Sequence, residues 1–217
     1  MPPIPWAPDN YPPTRRSDHV DVYQSVSRGE VSVPDPYQWL EENSSEVDEW
    51  TTAQTAFTQT YLDKYPDGQK LEDKFRTSKD YVKFSAPTLL DNGHWYWFYN
   101  SGLQSQAVLY RSKKPALPDF SKKDEEIGEA FFDPNVLSAD GTSIMGTCRF
   151  SPCGKYFAYA VSYLGVDYYT IYIRSTNSSL SQASTAEGGD DRFPDEVKWC
   201  KFTTITWTKD SKGFLYQ

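Results

Sequence analysis

The apolar positions of this 217-residue chain change their period partway along. Residues 1–34 show no sustained period: six prolines (Pro2, Pro3, Pro5, Pro8, Pro12 and Pro13) lie among polar residues, and Pro34 closes the segment. Proline fixes φ and donates no backbone hydrogen bond, so an extended arm is expected here, lying along another part of the protein. Asp35-Pro36-Tyr37-Gln38-Trp39-Leu40-Glu41-Glu42 then opens a helix, with Asp35 as its cap and Pro36 at the first helical position. A second start signal of capping-box type comes at Ser45-Glu46-Val47-Asp48. Val47, Trp50, Ala53, Phe57 and Tyr61 recur every three or four residues, predicting one helix face to about Leu62. Pro66-Asp67-Gly68 breaks it, and Leu71 and Phe75 mark a shorter helix ending before Tyr81.

From Lys83 onward the pattern is that of strands. His94 to Tyr99 succeeds an Asp91-Asn92-Gly93 turn as an aromatic strand, and Ala107 to Tyr110 forms a second. Residues 111–130 carry Lys113, Lys114, Lys122, Lys123, Asp124, Glu125, Glu126 and Glu129, the mixture expected of a solvated loop. Strands at Phe150, Tyr156–Val161 and Tyr168–Ile173 come next, then a polar loop over 175–195 and strands at 197–207 and 213–217. The predicted fold class is mixed, with an arm and helices over residues 1–80 and only β-structure over 81–217.

A repeat sharpens this picture. Phe150-Ser151-Pro152-Cys153-Gly154-Lys155-Tyr156-Phe157-Ala158-Tyr159 aligns with Trp207-Thr208-Lys209-Asp210-Ser211-Lys212-Gly213-Phe214-Leu215-Tyr216, and Asp91 to Phe98 is a weaker third copy. The turn residues fall at 93, 154 and 211, so the steps are 61 and 57 residues. Units of three or four short strands at such spacing predict the blades of a β-propeller. A propeller closes with 4–8 blades, and 217 residues supply two and the start of a third. The expected architecture is therefore an incomplete propeller, cut off within a domain.

Composition narrows the function classes. The 35 aromatic residues (7 Trp, 16 Tyr and 12 Phe) exclude a disordered chain. A net charge of −8 argues against nucleic acid and anionic membranes as partners. There is no run of ~18 apolar residues, and the start, Met1-Pro2-Pro3-Ile4-Pro5-Trp6, lacks the features of a signal peptide. With three cysteines, Cys148, Cys153 and Cys200, free buried thiols in a cytoplasmic protein are expected. The sequons at Asn43 and Asn177 then carry no glycan.

Candidate chemistry is sparse. Cys148-x4-Cys153 has the wrong spacing for zinc, so no metal or cofactor is expected. His19 stands in a polar run and His94 in a turn, neither with the company a catalytic base needs. Gly141-Thr142-Ser143-Ile144-Met145-Gly146 has its second glycine one place too far for a nucleophile elbow, and is expected to be a turn between strands. Glu41-Glu42 and Asp124-Glu125-Glu126 are charge runs rather than spaced acid–base pairs. Trp95 and Trp97 suit either a binding face or the core of a blade. No residue is assigned as catalytic, and no substrate-binding residue is singled out.

Five runs in order nonetheless resemble the prolyl oligopeptidases, serine peptidases that cut after proline. They are Asp35 to Glu42, Gly102-Leu103-Gln104-Ser105-Gln106-Ala107-Val108-Leu109-Tyr110, Phe132-Asp133-Pro134-Asn135 to Thr142, Phe150 to Ser162, and Trp207 to Tyr216. The opening, Trp6-Ala7-Pro8 and Tyr11 to Val20, is most similar to the mushroom members, including the branch that macrocyclises toxin precursors of the amatoxin and phallotoxin kind. The resemblance implies a monomeric, cofactor-free enzyme acting on proline-containing peptides or proproteins. It also implies a seven-bladed propeller and a C-terminal α/β-hydrolase domain on which residues 1–80 pack. The family's Ser, Asp and His all belong to that domain, and none maps onto this chain. The alternative, from a different class, is a non-enzymatic propeller scaffold that binds partner proteins.

Overall fold

The computed structural model describes residues 11–113, 115–117, 119–120, 128–163, 165–178, 189 and 191–217. Pro2, Pro3, Pro5 and Pro8 of the expected arm fall outside these residues, as do Lys114, Lys122, Lys123, Asp124, Glu125 and Glu126 of the charged loop. The chain divides into two compact units, Met1–Phe75 and Arg76–Gln217.

In the first unit the expected arm is only partly an arm. Residues 20–34 form an antiparallel hairpin, β1 (Val20–Ser25) and β2 (Gly29–Pro34), in register from Val20↔Pro34 to Ser25↔Gly29. Alternation over Val20-Asp21-Val22 and Val31-Ser32-Val33 supports these strands, and Gly29 at φ +70 supplies the left-handed turn. Pro34 is tolerated because it sits at a strand end. Asp35 does not cap a helix. Its carboxylate accepts from the Tyr37 amide at 3.0 Å, and the next element is a single 3-10 turn, Gln38–Glu41, that buries Trp39.

Helix α1 (Ser45–Leu62) is capped by Ser44, one residue before the expected start signal, through its hydroxyl and the Val47 amide. None of its residues is fully buried, and Ala53 and Tyr61 of the expected apolar face are exposed. Residues 11–15 run along the helix. Tyr11 packs on Phe57 with ring centroids 4.7 Å apart, and the Pro12 carbonyl accepts from Gln54. Thr14 accepts from the Trp50 indole, while Arg15 makes two bonds to Glu46, at 2.7 and 3.0 Å. The second helix, α2, spans Gly68–Lys79.

The second unit is built of antiparallel sheets. The first contains β3 (Lys83–Phe84), β4 (Thr88–Leu89), β5 (Trp95–Asn100), β6 (Val108–Arg111) and β7 (Glu129–Phe132), in the order β3-β5-β6-β7 with β4 also on β5. The second is the meander β8 (Ile144–Phe150), β9 (Tyr156–Ser162), β10 (Tyr168–Ser175) and β11 (Arg192–Lys201). A third pairs β12 (Thr206–Trp207) with β13 (Phe214–Leu215).

These strands correct several expected boundaries. The charged loop ends at β7, where Phe131 and Phe132 point into the core. Strand β8 begins inside the segment expected to be a turn. The strand expected over 197–207 is instead two, because Trp199 and Phe202 adopt positive φ around the end of β11.

The core lies between the sheets. Tyr96, Leu109, Phe131, Phe132, Phe157, Tyr159, Val161 and Tyr172 form one cluster joining the first sheet to the second. Ala158, Ala160, Ile171, Cys200 and Ile205 form another, on which Trp207 and Phe214 of the third sheet pack.

Candidate functional site

The three repeat copies fold alike. In each, the fourth residue of the turn donates its amide to the first: Gly93 to Leu90, Gly154 to Ser151 and Ser211 to Thr208, all at 2.9 Å. Each of these donors has positive φ (+83, +67 and +59). The first copy is one residue shorter, since Leu90 closes on His94 whereas Ser151 closes on Tyr156 and Thr208 on Gly213. The turns also touch one another. Asn92 donates to the Gly154 carbonyl at 3.0 Å, and the Cys153 amide donates to Ser211 Oγ at 3.0 Å. A Cβ on Gly154 would stand 2.9 Å from the Asn92 backbone nitrogen, so only glycine fits this contact.

The runs around Gln106 and Asn135 meet at the seam between the first two sheets. Asp133 caps a 3-10 turn, Pro134–Val136, accepting from the backbone amide and side-chain amide of Asn135 at 2.8 Å each. Held this way, Asn135 accepts from the Gln106 amide at 2.9 Å and donates to the Gln106 carbonyl at 3.0 Å. The Gln106 side chain then reaches the second sheet, donating to the Ser143 carbonyl at 2.8 Å and accepting from the Met145 amide at 2.9 Å. Arg111 spans the same seam, pairing with Glu129 and donating to the Thr176 carbonyl at 2.6 Å. Arg174 lies buried over the rings of Phe131 and Phe132, 5.1 and 5.7 Å from their centroids, and burial pushes its pKa down. Periodicity singled out none of these polar residues. The signals that mark them are the Asp133-Pro134-Asn135 turn and the two family-like runs that contain Gln106 and Asn135.

The sequence candidates for chemistry are placed apart. Ser143 is buried, with no partner for its hydroxyl among the described residues. His94 bonds the Ser112 carbonyl at 2.8 Å, and His19 bonds Asp21 at 3.1 Å. Trp97 is core, 1% exposed, while Trp95 is half-buried with its indole on the Pro115 carbonyl. All three thiols are free. Cys200 is buried, whereas Cys148 and Cys153 are half-buried rather than fully enclosed. Burial pushes Cys148 up to about 11, while hydrogen bonds from Ser151 and Ser211 lower Cys153. No cluster of three or more His, Cys, Asp or Glu among the described residues could hold a metal ion.

One open cavity of about 450 Å³ lies between the second and third sheets, with Tyr156, Phe193 and Trp207 as aromatic walls. Cys153, Lys155, Asp210 and Lys212 bring polar groups to it. No histidine is among the described residues that line it.

Comparison with known proteins supplies what the geometry lacks. The family model for the prolyl oligopeptidase N-terminal β-propeller domain matches residues 12–217. The dual function macrocyclase-peptidase of Amanita bisporigera is 82% identical over the whole chain, which spans 30% of that relative's length. Prolyl oligopeptidase A of the same organism is 59% identical over 213 residues, 98% of this chain and 28% of its own. Among solved structures, prolyl oligopeptidase B from Galerina marginata bound to a 25mer macrocyclization substrate matches with a TM-score of 0.75 and 72% identity. That match covers 97% of this chain and 29% of the other.

Proposed function

The chain belongs to the prolyl oligopeptidase family, and we propose that it is the N-terminal part of a serine-type endopeptidase that cleaves peptides after proline and also macrocyclises them. The observation that carries this reading is the identity gap, 82% to a dual function macrocyclase-peptidase against 59% to a prolyl oligopeptidase of the same mushroom. The relatives named are peptidases, which favours an enzyme over a non-enzymatic scaffold.

In this reading the catalytic Ser, Asp and His come from an α/β-hydrolase domain beyond residue 217, and residues 1–80 pack against that domain. Residues 81–217 supply the first sheets of the propeller. Serine attacks the carbonyl of proline while a histidine takes its proton and backbone amides hold the oxyanion; the C–N bond then breaks, the histidine protonates the departing amine, and an acyl-enzyme remains. Water then releases a linear product, or the substrate's own amino terminus displaces the enzyme and closes a ring. The residues of this chain build the wall around that chemistry and take no proton themselves. No described helix is long and apolar enough to cross a membrane, and the reading places the enzyme in the cytoplasm as a monomer acting on toxin-type proproteins.

The test is to incubate the full-length protein with a proline-containing toxin precursor and weigh the products. A product lighter than the excised linear peptide by one water is expected alongside linear peptide. Linear products alone would remove the macrocyclase half, and no cleavage after proline would remove both.

A further inference from the structure

Strand β8 is the first strand of the second sheet and, among the described residues, pairs on one side only, with β9. An open strand edge exposes backbone donors and acceptors that must find partners. Here one carboxamide satisfies two of them: Gln106 binds the Ser143 carbonyl and the Met145 amide at 2.8 and 2.9 Å, as another peptide group would. The side chain is itself held, because Asn135 bonds both backbone groups of Gln106 and Asp133 holds Asn135. The chain of contacts therefore runs from the first sheet through Gln106 into the second, across a partly buried site where unpaired groups cost more than in water.

From this geometry we infer that Gln106 is a latch: it completes the pairing on the β8 edge and makes the first two sheets one mechanical unit. Asn135 is its positioning residue. The latch is local, and it acts whatever the substrate of the protein.

Hydrogen exchange on the protein at its natural full length tests it, with the Met145 amide as reporter. Gln106→Met keeps the length of the side chain and removes both bonds. It is expected to raise Met145 exchange roughly ten- to a hundredfold, with Tyr159 and Tyr172 of the adjoining core unchanged. Gln106→Glu can still accept from Met145 but cannot donate to Ser143, so a smaller rise is expected. It carries the test if Gln106→Met does not fold. Unchanged Met145 exchange would overturn the latch, and so would an equal rise over β8, β9 and β10, which marks general loosening.

Discussion

Strand β9 presents two unlike faces to its neighbours. Phe157, Tyr159 and Val161 turn toward the first sheet and share one cluster with its Tyr96, Leu109, Phe131 and Phe132, and with Tyr172 of the neighbouring strand β10. Ala158 and Ala160 turn toward the third, among Ile171, Cys200 and Ile205. All five β9 residues are completely buried, so burial alone does not distinguish the faces. The aromatic face is filled by rings with centroids 4.5 to 6.1 Å apart, such as Phe132–Tyr159 and Phe131–Phe150. Arg111, Arg174 and Gln106 bind across it. On the alanine face small side chains let Trp207 and Phe214 approach, and the Trp207 indole bonds the Arg149 carbonyl at 3.1 Å. Polar cross-links occur at both seams, but one is filled by ring volume and the other is closed by near approach over small side chains. A strand with period two can serve both because its successive side chains point to opposite neighbours.

The largest effect should come from emptying the aromatic seam. Phe157→Ala or Tyr159→Ala is expected to lower stability by about 3–5 kcal/mol, read from chemical denaturation. A loss below about 1 kcal/mol would mean the seam is not close-packed. Gly154→Ala comes next, because it forces a side chain into positive φ and against the Asn92 backbone. A cost toward the upper end of about 1–3 kcal/mol is expected. Gly29→Ala, with similar φ but open space around it, should cost only about 1 kcal/mol. Equal costs at the two glycines would show that the turn-to-turn contact contributes nothing.

Ala160→Leu tests the other face by overfilling it, with an expected loss of about 1–2 kcal/mol. A neutral result would show that this seam has room to spare. The smallest effect is chemical rather than energetic. The thiolate is the reactive form, and a raised pKa leaves Cys148 roughly one part in a thousand ionised at pH 8. Cys153, lowered by its hydroxyl neighbours, should therefore be alkylated first at pH 8 in a peptide-mapped iodoacetamide series. Cys148 should speed up about tenfold per pH unit until near 11. The reverse order would contradict the raised pKa that burial gives Cys148.

The repeat was legible because each copy needs the same turn chemistry, a left-handed residue and then an aromatic strand, and those residues recur at 93, 154 and 211. Helix α1 was legible from its spacing, although its face is covered in part by residues 11–15 rather than by a deep core. The hairpin over 20–34 was hidden because the prolines before it set the expectation for the whole segment. Strand β7 was hidden by the charge run before it, although its last residues, Phe131 and Phe132, belong to the core. Strand β11 carries register shifts against β10, which blur any period of two. The latch was illegible for a different reason. A side chain that substitutes for a backbone group leaves no periodic trace, and the family-like run around Gln106 marks the segment without showing the contact.

The central proposal is that these 217 residues build enclosing structure and that the reacting groups come from elsewhere in the protein. The most direct measurement is turnover of a proline-linked fluorogenic peptide, by the purified 217-residue chain and by the protein at its full natural length. The account predicts cleavage by the full-length protein and none by the chain alone. Proline-specific cleavage by the chain alone would contradict it.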